Sequence, residues 1–238
     1  MIKRIVKTIL TIILCSTAFL AKAQLGYDYA QYDVGVAVGA SSGVSTDVAS
    51  VRNAPSLHFN FNYNSTPFVN YVFEMQVGRL KGGDSTKTAG GGREFENHFT
   101  AFLFRAQLQA GELFDYSQGG VGNAFKNFYV STGIGYIVNH IVAKSADIRV
   151  APGSTIPGDN NSQVPFIPAR IGYEFKIFND YNQPSVKVDI GYQYNFMFDD
   201  NLDGYSRVGS KKDVMGQLTL GVKFAIGGVT SYRKQINY

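Results

Sequence analysis

The stretch Pro184–Met197 constrains this chain more than any other. Val186, Val188, Ile190, Tyr192, Tyr194 and Phe196 alternate without a break with Lys187, Asp189, Gly191, Gln193 and Asn195. Only a β-strand turns a period of two into one apolar face and one polar face. A strand in a soluble sheet is usually about five or six residues long. One tilted through a bilayer needs about nine to eleven, and this alternation is of that length. The same pattern recurs along the chain, as it does in an outer-membrane β-barrel.

Residues 1–23 read as a secretory signal peptide. Lys3, Arg4 and Lys7 form a basic front, Ile9 to Leu20 is mostly apolar, and Ala21-Lys22-Ala23 fits an A-x-A cleavage site. The apolar run is shorter than the roughly 20 residues of a spanning helix. The single cysteine, Cys15, lies within this leader, and Leu14 before it disfavours lipidation. The mature chain is therefore expected to have no disulfide and no thiol chemistry. The formal net charge of +4 comes entirely from the four basic residues of the leader. The remainder from Gln24 to Tyr238 balances 18 basic with 18 acidic side chains, which argues against a nucleic-acid partner. Its length suits one domain, 24–238. It has no later apolar run long enough for a membrane helix, so a spanning chain must close as a barrel.

Eight strands are expected, near 32–40, 55–63, 69–80, 98–111, 126–141, 164–178, 184–197 and 214–226. The second sets Leu57, Phe59, Phe61 and Tyr63 against His58, Asn60 and Asn62. The sixth sets Ile171, Tyr173, Phe175 and Ile177 against Arg170, Gly172, Glu174 and Lys176. The first, fourth and fifth alternate less cleanly. Connections 41–54, 81–97, 142–163 and 198–213 are long and polar. Asn64–Pro67 and Asn179–Gln183 are tight, and 112–125 is intermediate. Long outer loops and short periplasmic turns are the pattern of an even-stranded barrel with both termini in the periplasm. The expected fold is an all-β, eight-stranded antiparallel transmembrane barrel of the outer-membrane type. A soluble lipocalin-like barrel, with the apolar face inside, is the alternative that alternation alone leaves open.

On the polar face lie Glu74, Arg105, Arg170, Glu174, Lys176, Lys187, Asp189 and Lys223, with His58 and Gln193. An eight-stranded interior is just wide enough to be filled by side chains. These groups are expected to plug it as paired charges, since buried charges must be paired. Gly35, Gly39, Gly78, Gly133, Gly135, Gly172, Gly191 and Gly221 share the polar parity and relieve the crowding.

Several motifs point to chemistry and lack its context. Asp199, Asn201, Asp203 and Gly204 fit the first half of a calcium loop, but Ser210 stands where its bidentate Glu belongs. At most a weak Ca²⁺ site is expected there; an Asx-rich turn is the plainer reading. Gly39-Ala40-Ser41-Ser42-Gly43 matches G-x-S-x-G without the helix that a nucleophile elbow requires. Lys81–Thr88 lacks the glycine and helix of a phosphate loop. His58, His98 and His140 lie on three strands without metal-ligand spacing. No cofactor and no catalytic residue are expected. Candidate docking residues for periplasmic or outer-membrane protein partners are Phe114, Tyr116 and Phe125 in 112–125, and Tyr232 and Tyr238 in the tail 227–238.

Further features are the opening strand Val34-Gly35-Val36-Ala37-Val38-Gly39, Glu74 with Gly78-Arg79-Leu80-Lys81-Gly82-Gly83-Asp84, Arg93-Glu94-Phe95-Glu96-Asn97, and Gln109-Ala110-Gly111-Glu112. On these the chain resembles the small outer-membrane β-barrel proteins of Bacteroidota. More narrowly, it resembles the barrel family that includes an outer-membrane component of the type IX secretion and gliding machinery. The resemblance implies a non-enzymatic barrel in outer-membrane lipid that anchors or scaffolds a cell-envelope complex. A stand-alone surface barrel with ligand-binding or adhesive loops is the alternative. The tail Gly227–Tyr238 departs from barrels whose last strand ends the chain.

Overall fold

The computed structural model describes residues 26–44, 48, 51–83, 93–114, 120–145, 158–205 and 212–233. The leader expected at 1–23, Tyr116 and Tyr238 lie outside them. The elements are β1 (Gly26–Val44), β2 (Val51–Arg52), β3 (Ala54–Asn64), β4 (Val69–Gly83), β5 (Glu94–Gln109), α1 (Ala110–Leu113), α2 (Gly120–Phe125), β6 (Phe128–Lys144), β7 (Asn161–Phe178), β8 (Pro184–Met197) and β9 (Val214–Arg233). Apart from the two-residue β2, each strand pairs antiparallel with its neighbours in sequence, and β1 pairs with β9. Eight strands therefore form a closed ring. Closure leaves no sheet edge, which is the condition for β-structure in lipid.

The pleat sorts the side chains. Outward lie Val34, Val36 and Val38 on β1, Phe59 and Phe61 on β3, Phe102 and Phe104 on β5, and Leu218 and Leu220 on β9, all exposed. Inward lie His58, Glu74, Arg105, Arg170, Asp189 and Lys223, all buried. An apolar exterior around a polar interior is the transmembrane arrangement, and it overturns the lipocalin-like alternative. No helix among the described residues is long and apolar enough to cross a membrane; the strands do so. The shortest of the eight has 11 residues and the longest 20, enough to cross with tilt.

The structure departs from the sequence-based expectation at three places. The connection 112–125 contains two short helices, α1 and α2, rather than a plain turn. A short β2 prolongs the sheet beside β4. Residues 227–233 are not a free tail. β9 continues to Arg233 and pairs with the start of β1, from Ala30↔Val229 to Gly26↔Arg233. The register shifts between Ala30 and Tyr32, where Gly227 takes a positive φ of 80°. Glycine suits such a bulge, which bends the ribbon and lets pairing continue.

Close approach explains the inward glycines. A Cβ on Gly191 would lie 2.7 Å from the Arg170 guanidinium, and one on Gly135 would lie 2.2 Å from the Phe166 ring. Phe166 is buried and has nowhere to move. Gly135→Ala is expected to cost about 1–3 kcal/mol through overpacking, read as a lower urea midpoint for the protein folded in lipid vesicles. An unchanged midpoint would show that the ring relocates freely.

Candidate functional site

Among the described residues, the buried chemistry-bearing side chains converge in the lumen, and its two halves differ. Toward the chain termini and short turns (the turn end) it is polar. Toward the long connections (the loop end) an apolar cluster fills it, with Asn97, Asn139 and Asn195 buried beside it.

In the polar half, Lys176, Lys187 and Lys223 face one another in register on β7, β8 and β9. Three ammonium groups in a row need neighbouring anions. Lys223 Nζ reaches Glu174 at 2.8 Å and Asp189 at 3.4 Å. Lys187 reaches past β9 to Asp33 on β1 at 2.6 Å. Lys176 lies 4.0 Å from Glu174 and donates to Gln109 and to the Pro67 carbonyl. Arg170 pairs with Asp189 and donates from Nε to the Tyr129 hydroxyl. On the other side of the ring Arg105 pairs with Glu74 at 2.5 Å. Glu74 also accepts from His58 Nδ1 at 2.8 Å and from Gln76 at 2.7 Å. Gln217 then bridges to Gln76, Ser41 and Gln193. All ten inward groups singled out from sequence lie in the lumen, in two bonded sets: His58, Glu74, Arg105 and Gln193 in one, and Arg170, Glu174, Lys176, Lys187, Asp189 and Lys223 in the other. Asp33, which the sequence reading omitted, is 1% exposed. It shares the parity of Gly35 and Gly39, the signal that could have found it.

The loop half is packed with Leu80, Phe95, Phe99, Leu103, Ile137 and Phe166, beneath Leu202 and Tyr205 from the connection 198–213. Tyr205 donates its hydroxyl to the Glu94 and Ser145 carbonyls, with Arg93 and Lys144 against its ring. Burial raises the pKa of that hydroxyl. Residues 202–205 therefore close the loop-end mouth. The turn end is closed by Phe68, 0% exposed, which follows the tight turn and folds inward. Gly111 of α1 lies against its ring, Lys176 sits 4.7 Å from the ring centroid, and Tyr232 packs on it edge-on. Tyr29, on the ribbon half of β1, donates to the Ser65 carbonyl at 2.7 Å. No local pattern in the sequence marks Phe68 or Tyr29 for this role. Beside the closure, burial pushes the Lys126 ammonium down to about 8.

The other sequence candidates scatter. Asp199 is exposed while Asp203 is buried. Asp203 accepts from the Tyr205 amide, Asp199 from the Asp200 amide and the Asn201 side chain, and Asn201 from the Asp159 amide. The three donors serve turn hydrogen bonds rather than one coordination sphere. Among the described residues no three His, Cys, Asp or Glu side chains are grouped to hold a metal. Ser41 of the G-x-S-x-G match points into the lumen and donates to Ser56. His98 and His140 face each other on the outer wall. Phe114 and Phe125 are exposed at the turn end. Tyr232, half-buried, packs its ring edge-on against Phe68, and its hydroxyl lies 3.3 Å from Glu112, so it also braces the closure.

No family model matches the chain, and no curated protein matches it. Among solved structures it is similar to neisserial surface protein A, at 13% identity and a TM-score of 0.48, over 84% of this chain and 99% of that one. It is similar to Ail, the attachment invasion locus protein of Yersinia pestis, at 9% identity and a TM-score of 0.44, over 82% and 98%. A third is the outer membrane protein OprG of Pseudomonas aeruginosa, at 10% identity and a TM-score of 0.37, over 85% and 99%.

Two outcomes are expected of the lumen. Glu74→Gln should cost about 3–5 kcal/mol, because it leaves the buried Arg105 charge without its counter-ion. The guanidinium Nε and Nη1 find no acceptor among the described residues. Adding Arg105→Met should recover much of the loss in urea titrations in lipid vesicles; no recovery would refute the pairing. In planar bilayers the purified barrel should give no steady open level. Steady ion-selective conductance would show that the lumen is not filled.

Proposed function

We propose that this chain is a non-enzymatic outer-membrane barrel that anchors a protein partner of a cell-envelope complex, such as the type IX secretion machinery. The observation that carries this reading is the filled lumen, stoppered at both mouths. A barrel with no path through it works by its surfaces. Its apolar belt serves the membrane. In the orientation given by long outer loops and short inner turns, the turn end faces the periplasm.

That end carries apolar groups which the fold leaves outside. Leu113 is 72% exposed, Val121 73%, Phe125 59%, and Tyr181 of the β7–β8 turn 81%. Aromatic and aliphatic side chains on short, braced segments suit a docking surface. The Tyr173 hydroxyl holds the Ala124 carbonyl, and the Gly111 amide holds that of Lys126, so these helices are fixed to the wall. The secretion assignment is supported by the sequence resemblance in the opening strand and in residues 74–97.

Leu113→Ser with Phe125→Ser is expected to abolish copurification of a periplasmic or outer-membrane partner from gently solubilised membranes while barrel levels stay unchanged. If every partner remains, anchoring through the turn end is wrong and the loops take its place.

A further inference from the structure

Toward the loops, the outer face of the barrel changes character along one row of residues. Ala40 pairs with Pro55, Arg79 with His98, His98 with His140 and His140 with Asn161. Two residues nearer the turn end, Val38, Leu57, Val77 and Thr100 form the next outward row. Elsewhere the belt is faced with rings, among them Phe59, Phe73, Phe102 and Phe104. Over the loop-side part of β1 and β3 and at Val77 the outward side chains carry no aromatic ring. The wall is shallowly recessed there, in an open groove of about 560 Å³ lined by Val38, Pro55, Leu57, Val77, Arg79 and His98.

The charged groups above the groove are unequal in number. Arg79 is half exposed and lies 3.9 Å from Glu96. Lys81 lies 3.0 Å and His98 Nε2 3.5 Å from the same carboxylate, and Arg52 pairs with Glu94 at 3.0 Å. Among the described residues, three permanent cations there face two carboxylates, with an imidazole beside them. β8, opposite β4 in the ring, instead leads at this end to exposed Phe196, Phe198 and Asp199.

We propose that this groove binds one anionic, phosphorylated lipid of the loop-side leaflet, with its phosphate at Arg79 and His98 and an acyl chain along Val38, Leu57 and Val77. The recess opens into the belt, so a chain enters it without leaving the hydrocarbon. The guanidinium fork matches phosphate oxygens, and Arg79, with Glu96 only at the limit of pairing distance, is free to turn to them. A zwitterionic headgroup brings its own cation and gains less from the excess charge.

The test uses the full mature chain in maltoside micelles, given dimyristoyl phosphatidic acid or dimyristoyl phosphatidylcholine and read by native mass spectrometry. One retained phosphatidic acid per barrel is expected, held roughly tenfold better than phosphatidylcholine, the worth of about one charge-assisted hydrogen bond. R79Q with H98Q should remove that preference. Val38→Trp, which fills the recess, should weaken retention with both basic groups intact. All these side chains lie on the outer face, and heat-dependent migration in SDS confirms that each variant is folded. Equal retention of the two lipids, an unchanged preference in R79Q/H98Q, or a second copy of the chain in place of lipid would overturn the proposal.

Discussion

The pairing of β1 with β9 is the constraint on which everything else rests. An open sheet of these strands would present two rows of unpaired amides to hydrocarbon, each unsatisfied group costing several kcal/mol. Joining Val34 to Phe224 and Val38 to Leu220 removes both edges at once. A ring of eight strands then has a fixed and narrow bore. The polar parity of every strand must fit inside that bore, and the charges must find partners there. The Asp33–Lys187 pair fastens β8 to β1 directly across the closing strand.

The two halves of the interior solve the packing problem differently. Near the turns, long charged side chains lie over glycines, as Arg170 lies over Gly191. Near the loops, Phe95, Phe99 and Phe166 fill the same bore as in a soluble core. Buried ion pairs specify partners at a desolvation cost, whereas apolar packing fills space without specifying charge.

Much of this was legible from alternation. Pro184–Met197 occupies the range read from sequence, and closure into eight strands followed from the count. The inward charges were legible because polar parity on one strand implies the same face throughout. The fourth and fifth strands alternated poorly for a physical reason. In β5, Phe102 and Phe104 face out while Phe99 and Leu103 join the apolar cluster of the lumen, so both faces are largely apolar. The continuation of β9 was hidden because Gly227-Gly228 reads as an ending, although it is a bulge. Phe68 was hidden because a single residue after a turn carries no period. The docking and metal candidates came from composition and motif, signals that do not show the contacts each side chain makes within the fold. Tyr232 and Asp203 were both already committed to hydrogen bonds within the chain.

The bulged ribbon has a consequence for how the barrel is made. Tyr32 opposite Ile226 and Tyr27 opposite Tyr232 are among the most distant pairings the chain can form. Loop-closure entropy is spent before such contacts give any return. The hairpins from β3 to β9 can therefore assemble early, while the seam waits for both ends of the chain. Because the ribbon also carries Tyr29 and Tyr232, which brace the turn end around Phe68, the event that closes the wall also secures the floor.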